Sequence, residues 1–497
     1  MDRERGPSWH RQVRQLGYDG NHATGGLEFQ FLAALKAWLA AHSRGNDERR
    51  FVVVFNGDRH NSSIAFSGGQ IIRECARRSS KTFSYNRNVR LLFWLALPLA
   101  GGTAIQDVTV IDIASGTARP HMTVVIDEGK ISRVGAAASI SLPANTQIVA
   151  GKDKFLIPGL WDMHVHLYYK QYLPLFVAFG VTGVQDMGSD FSKVSAWRDE
   201  IEKGNAIGPH ILTSGPPVDG GSSTDPKLPL LVARTADQAR VAFDQLYKMN
   251  VDFIKVLSRL PRDAYFALAE QARHWDLRMV GHIPSGVTAQ EAVEARQKSL
   301  EHMFGIAKSV STEEEALKFF ERCTLTGTWV SPTLVLWLRM SHIDDTKLMS
   351  DPRLGIVPAS IRDTWPDVSD DPTSLKVQVW RIYRLVALAK RAKTEILAGT
   401  DTGDPYVAPG ASLQDELEQL VEAGLTPRDA LEAATLAPAR FFEAEKEMGA
   451  IEKGKLADMV LLDANPLDDI RNVRKVQAVF THGRYYARKD LDRILGF

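Results

Sequence analysis

Between residues 155 and 401, short apolar runs recur at regular intervals, and many of them end on a polar or ionisable residue. The runs are "FLIPGLWDMHVH", "GVTGVQDMG", "HILTSG", "DFIKV", "RMVGHIP", "SLEHMFG", "TWVSPTL" and "EILAGTD". Their lengths and β-branched content suit buried strands. Stretches with helical periodicity lie between several of them, such as "TADQARVAFDQLYKMN" and "RDAYFALAEQARHW". Strand–helix alternation over this length predicts an α/β fold, a (β/α)8 TIM barrel spanning 155–440. Two long breaks interrupt it: the Gly/Ser/Pro loop "PPVDGGSSTDPK" and a segment from about Met340 to Leu375 rich in Asp, Pro and Trp. Insertions at the carboxyl ends of barrel strands are where substrate contacts usually sit.

On either side of this region the period changes to two. Residues 104–154 and 441–497 alternate β-branched with polar positions and place glycines at turns. The two flanks are expected to pair into one small β-sandwich domain built from both ends of the catalytic region. Residues 1–103 form an N-terminal extension of unclear role, with an amphipathic stretch "GGLEFQFLAALKAWLAAHSRG" and a strand-like "RRFVVVFNGD". Near its end, basic Arg87 and Arg90 precede the apolar run Leu91–Ala100 and the small residues Gly102-Thr103-Ala104. That is the layout of a secretory signal peptide placed far inside the chain. If it acts as one, the protein is periplasmic or secreted and the upstream residues are not part of it. If it is a buried helix or strand, the location is cytoplasmic.

The 497 residues carry no net charge, which gives no support for nucleic acid or an anionic membrane as partner. The balance is uneven, since residues 1–89 hold 14 Lys and Arg against 8 Asp and Glu. No segment reaches the roughly 18 apolar residues that a membrane span needs. Cys75 and Cys323 are the only cysteines, so a disulfide framework and a four-cysteine zinc site are both excluded. Motifs for a phosphate-binding loop, a His-Glu-x-x-His zinc helix and a Gly-x-Ser-x-Gly elbow are absent.

The polar strand ends carry the chemistry. His164 and His166 are two residues apart, so on a strand they face the same way. Two buried imidazoles side by side need a hydrogen-bond network or a metal to satisfy them. Lys255 closes the fourth run, His282 the fifth, His302 the sixth and Asp401 the eighth. In a barrel these ends converge on one face. Taken singly, Lys255 reads as an ion-pair partner and Asp401-Thr402-Gly403 as a turn or helix cap. Together they make four imidazoles, a carboxylate and an amine, a set that suits zinc or a similar divalent ion.

With those residues in view, the chain resembles the amidohydrolase superfamily of metal-dependent hydrolases, in its imidazolonepropionase-like and prolidase-like branch. The motifs that carry the resemblance are "IPGLWDMHVH", "DFIKV", "GHIP", "EHMFG", "ILAGTDTG", "ATLAPAR" and "GAIEKGKLADMVLLDANPL", from about Ile105 to Gly483. It implies two divalent ions, most simply Zn2+. His164, His166 and Asp401 would hold the more buried ion, and His282 and His302 the more exposed one. Lys255 would be carboxylated and bridge both, since a carbamate suits two dications where an ammonium is repelled. Gln414 stands where the resemblance implies a histidine.

The implied reaction is hydrolysis of an amide bond, in a dipeptide or an N-acyl amino acid, by a hydroxide bridging the ions, with Asp401 moving the proton to the leaving amine. Hydrolysis of a cyclic amide, a lactone or a phosphotriester at the same residues is a second reading. A metal-binding scaffold without catalysis is a third, weakened by the placement of Asp401. The expected partners are a small-molecule substrate and further copies of the chain, with no nucleic acid and no membrane span.

Overall fold

The computed structural model describes residues 101–223, 227–365 and 372–496. The N-terminal extension up to residue 100, with its apolar run 91–100, lies outside them. Residues 101–103 open the first strand, which continues without a break into the 104–154 flank.

The two β-rich flanks meet in one sheet. Strands β1 (Gly101–Asp112), β2 (Thr117–Asp127), β3 (Lys130–Ala136), β4 (Thr146–Ala150) and β5 (Phe155–Pro158) come from the first flank. Strands β15 (Met459–Leu462), β16 (Val476–Thr481) and β17 (Arg484–Ala487) come from the second. The order is β17-β16-β15-β5-β1-β2-β3, with β4 paired to β1. The seam between the ends is the antiparallel β5–β15 ladder, in which Leu156 faces Leu461 and Ile157 faces Val460. Two-residue turns fix the outer hairpins. Glu128-Gly129 and His482-Gly483 both hold two successive left-handed residues, the geometry that matches the twist of a hairpin. Inward residues Ile105, Val110, Val124, Ile131, Leu156, Met459 and Phe480 form a core separate from that of the rest of the chain. Hydrogen bonding thus joins the expected sandwich into a single sheet.

Parallel strands follow. β6 (Leu160–Val165), β7 (Val181–Asp186) and β8 (His210–Thr213) form one sheet. β9 (Val218–Asp219), β10 (Leu231–Val232), β11 (Ile254–Val256), β12 (Met279–Gly281), β13 (Ser299–Glu301) and β14 (Trp329–Ser331) form another, in the order β10-β9-β11-β12-β13-β14. Among the described residues the ladder is not one closed ring of eight. The eighth expected strand is a run of isolated contacts. Leu397 N donates to Val330 O (2.9 Å), Met163 N to Ala398 O (2.9 Å) and Asp401 N to His164 O (2.8 Å), so residues 396–402 lie between β14 and β6. Between the sheets, Asp252 N donates to Thr213 O at 2.9 Å.

One expectation changes. "FLIPGLWDMHVH" is two strands in two sheets, β5 and β6. Pro158 has no N–H to continue a ladder, and Gly159 donates instead to Asp458 O (2.8 Å). A side chain at Gly159 would strike Thr182 Oγ1, 2.1 Å from where its Cβ would stand, so only glycine lets the chain cross here.

The helices follow their sequence signals. Thr235 caps Ala236–Met249 and the left-handed Asn250 ends it, while Thr288 and Thr312 form capping boxes with Glu291 and Glu315. The insertion after β14 is held by ions. Arg339 meets Asp351 (2.8 Å), Arg353 meets Asp415 (2.6 Å) and Arg474 meets Asp415 (2.8 Å), which ties the insertion to the helix Ala411–Glu422.

A further polar cluster joins the antiparallel sheet to the N-terminal end of β8. His210 Nε2 lies 3.0 Å from Asp458 Oδ2, its Nδ1 lies 3.8 Å from Glu202 Oε1, and its ring stacks on His482 at 3.8 Å. Burial opposes a charge on His210, but the two carboxylates outweigh it and raise its pKa to about 10. Burial and the adjacent imidazolium push His482 down to about 4, so one ring of the stack is charged and the other neutral. A pKa raised in the folded state adds stability that is full below the unfolded value of about 6.5 and lost as pH rises towards the folded value. The thermal-stability gap between wild type and His210→Gln should therefore be widest at pH 5–6 and shrink steadily between pH 7 and 10. Melting curves across that range check it. A gap that does not vary with pH would mean that folding leaves the His210 pKa at its unfolded value.

Candidate metal centre

At the carboxyl end of β6, alternation places His164 and His166 on one face, both buried. Each ring is oriented through Nδ1, which lies 2.8 Å from Glu301 Oε2 in His164 and 2.8 Å from the Gly188 carbonyl in His166. A carbonyl only accepts, so His166 Nδ1 carries the hydrogen and Nε2 presents a lone pair when the ring is neutral. Both Nε2 atoms converge on Asp401 Oδ1, at 3.3 Å from His164 and 3.2 Å from His166.

The other expected residues gather round the same point. Lys255, second-last in β11 and fully buried, has Nζ 3.1 Å from His164 Nε2. Burial lowers its pKa against the pull of Glu301 and Asp401, which favours the neutral amine more than at an ordinary lysine. His282 follows β12 and has Nδ1 2.8 Å from Ser258 Oγ. His302 follows β13 and has Nδ1 2.8 Å from Thr333 Oγ1 and 3.6 Å from Asp401 Oδ2. The His302 ring centroid lies 4.6 Å from that of His164 and 4.9 Å from that of His282. The structure thus brings all six sequence-predicted residues together at the carboxyl ends of the parallel strands.

Their backbone is unusual. His302, Met303, Thr333 and Asp401 all have φ between 49° and 64°. Left-handed non-glycine residues are costly and persist where the surroundings fix them.

The bonding at this point is incomplete in a definite way. Asp401 Oδ1 is buried and accepts no well-directed hydrogen bond, although two imidazole nitrogens face it at contact distance. Neutral Nε2 atoms opposite a carboxylate oxygen set lone pair against lone pair, which only a proton or a cation relieves. Burial and the Lys255 charge hold His164 well below the usual histidine range, so a proton is disfavoured there. At His166 burial is outweighed by Asp401, which raises its pKa. Burial opposes the charge of Asp401 too, but the His164 and His302 imidazoles hold it well below the usual carboxylate range. Two imidazoles and an ionised carboxylate within 4.8 Å of one another form a donor set that fits a divalent ion such as zinc.

Three further carboxylates support this set and were not singled out from the sequence. Glu301 orients His164 and is held by Ser299 Oγ at 2.5 Å. Asp162 accepts from Thr400 N (3.1 Å), Thr400 Oγ1 (2.7 Å) and His164 N (3.3 Å), and so fixes the 396–402 segment against β6. Asp186 accepts from Leu167 N (3.0 Å) and Thr213 Oγ1 (2.6 Å), bracing the chain just after His166. Burial raises Asp162 and Glu301 to about 7, against the hydrogen bonds and charges that lower them. Asp162 could have been found, because Asp-x-His-x-His puts it on the same strand face as the histidines. Gln414, where the resemblance implies a histidine, bonds to backbone. Its amide donates to Phe179 O (3.1 Å) and Val473 O (3.3 Å), and none of its described hydrogen bonds reaches the histidines.

Glu202, His210 and His482 also lie within 4.8 Å of one another. There the rings are stacked, so their in-plane lone pairs run side by side rather than converging, and His210 is an imidazolium. That cluster is an ion pair. Beside His282, His302 and Asp401 opens a cavity of about 610 Å³, walled by Ile283, Phe304 and Trp337 among others.

The sequence pattern of the amidohydrolase family matches residues 155–485. Ochratoxinase of Aspergillus niger is 24% identical over 426 residues, which cover 73% of this chain and 81% of that protein. A solved structure from Bifidobacterium longum, provisionally described as a prolidase, is 26% identical with a TM-score of 0.65, covering 80% of this chain and 99% of its own. A Xaa-Pro dipeptidase with bound methionine in its active site is similar in fold, at 22% identity and a TM-score of 0.62, covering 78% of this chain and all of its own. The family match spans every one of the six converging residues and two thirds of the sequence, and the chain belongs to the amidohydrolase family.

Proposed function

We propose that the protein is a metal-dependent hydrolase of amide bonds, acting on a dipeptide or an N-acyl amino acid. The observation that carries this reading is the convergence of His164, His166 and the buried Asp401 carboxylate, whose donor atoms lie within 4.8 Å of one another. His164, His166 and Asp401 would hold one divalent ion, and His282 and His302 a second. Lys255, its amine made available by burial, would take up carbon dioxide and bridge them as a carbamate. Such ions, when bound, lower the pKa of a water and polarise a carbonyl. The names of the relatives support the reading: one is a Xaa-Pro dipeptidase, another is described as a prolidase. The two parallel sheets and residues 396–402 are read as arcs of one (β/α)8 barrel, an arrangement favoured by the Thr213–Asp252 and Val330–Leu397 hydrogen bonds.

The chain's own residues divide the work. Asp401 stays ionised and accepts the proton of the attacking water as its oxygen bonds to the scissile carbonyl carbon. The same carboxylate returns that proton to the leaving nitrogen as the carbon–nitrogen bond breaks. Glu301 and Gly188 keep the two β6 imidazoles turned with Nε2 inward, and Thr333 fixes the His302 ring through its Nδ1. The strained backbone at His302 and Asp401 fixes these groups before substrate arrives.

Three outcomes test this. Elemental analysis of protein prepared with zinc and bicarbonate should approach two metal equivalents per chain. A value that never exceeds one would sink the bridged pair, and bound metal without turnover on dipeptides or N-acyl amino acids would leave a binding scaffold. Asp401→Asn should keep part of the metal and lose turnover by about 10²–10⁴-fold, the range of a general acid–base group. Near-normal rates would place the proton elsewhere. Glu301→Gln should weaken metal retention about 10–100-fold in chelator competition, the usual cost of losing a carboxylate behind a ligating histidine. Unchanged retention would mean that His164 is oriented without it.

A further inference from the structure

The cavity beside the centre is not neutral in design. Its lining holds two buried acids, Glu301 and Asp401, and one lysine, Lys308. Lys308 lies on the helix Phe304–Ser309, which begins two residues after His302. Phe304 and Lys308 are four apart and share a helix face, and the ammonium lies 4.0 Å from the Phe304 ring centroid. Phe304 stacks in turn on Trp337, centroids 5.9 Å apart and planes at 25°. Trp337 Nε1 donates to the His302 carbonyl at 3.0 Å. An aromatic shelf therefore runs from His302 through Trp337 and Phe304 to a cation.

Lys308 makes no ion pair with any carboxylate among the described residues. The nearby Arg262 differs, because its guanidinium is taken by Glu291 and the Gly286 carbonyl. A surface lysine draped over a ring is ordinary. What sets Lys308 apart is that it does so on the wall of the cavity that also exposes His282, His302 and Asp401.

We propose that Lys308 is a specificity-determining residue that pairs with the free carboxylate of the substrate, while Phe304 and Trp337 take a large apolar side chain next to that carboxylate. The substrate class is then an amide whose leaving amino acid is anionic and apolar. This rests on the amide-hydrolase reading above.

The test compares N-acetyl-L-phenylalanine with N-acetylphenethylamine, which lacks only the carboxylate, and with N-acetyl-L-alanine, which lacks the ring. Each is assayed with the zinc-loaded wild type, Lys308→Met and Lys308→Arg. Wild type should favour N-acetyl-L-phenylalanine over the decarboxylated analogue by about tenfold or more in kcat/KM, the scale of one charge-assisted pair. The preference should sit mostly in KM and weaken as salt rises. Lys308→Met should lose it while keeping wild-type rates on N-acetylphenethylamine, and Lys308→Arg should keep most of it. N-Acetyl-L-alanine should be the poorer substrate in all three proteins. A Lys308→Met protein that still prefers the carboxylate overturns the proposal and leaves the amide-hydrolase reading intact. A wild type that binds its metal and cleaves none of these amides brings down both.

Discussion

The centre depends on one contact, the largely buried Asp401 carboxylate against two imidazole nitrogens at the edge of the cavity. In water such a contact would be indifferent, because solvent would separate the groups. Away from solvent, charge is weakly screened and each polar atom needs a partner. Lys255, Glu301, Asp162 and Asp186 are buried around the same point, so a single added proton or cation is felt by all of them. Burial brings Asp162 and Glu301 to about 7, and a dication would draw them towards the ionised form.

The fold serves that contact by holding distant segments in register. Asp401 is set by two strands it does not belong to: residues 396–402 bond to β14 on one side and β6 on the other. Asp162 clamps the same segment through Thr400. The antiparallel sheet contributes from behind, since β5 leads directly into β6 through Gly159 and the β5–β15 ladder ties that entry to the C-terminal flank.

Much of this was legible in the sequence, and the failures have physical causes. The six converging residues could be read because each closes a short apolar run, where burial makes a polar residue conspicuous. The strand–helix alternation and the union of the two flanks follow from period alone. The split of "FLIPGLWDMHVH" was hidden because two adjoining buried strands look like one, and only the Pro158-Gly159 pair hinted at a crossing. Glu301 was missed for a local reason. Strand alternation turns neighbours to opposite faces, yet the left-handed backbone at His302 turns both Glu301 and His302 towards the centre. The ion network of Arg339, Arg353 and Arg474 on Asp351 and Asp415 joins positions far apart in sequence, which no local pattern reveals.

The strain and the unsatisfied oxygen belong together. Four left-handed residues at one site would not hold if the segments carrying them were free to relax. They hold because β13, β14 and residues 396–402 are each tied to buried neighbours, so the backbone cannot exchange the strain for better hydrogen bonds. The donors are thus placed by the strands, and the repulsion between them is the residue of that placement. Whatever neutralises Asp401 Oδ1 enters a cradle whose ordering has already been met by the folding of the surrounding sheet, and its binding energy goes into the contact rather than into assembling the site.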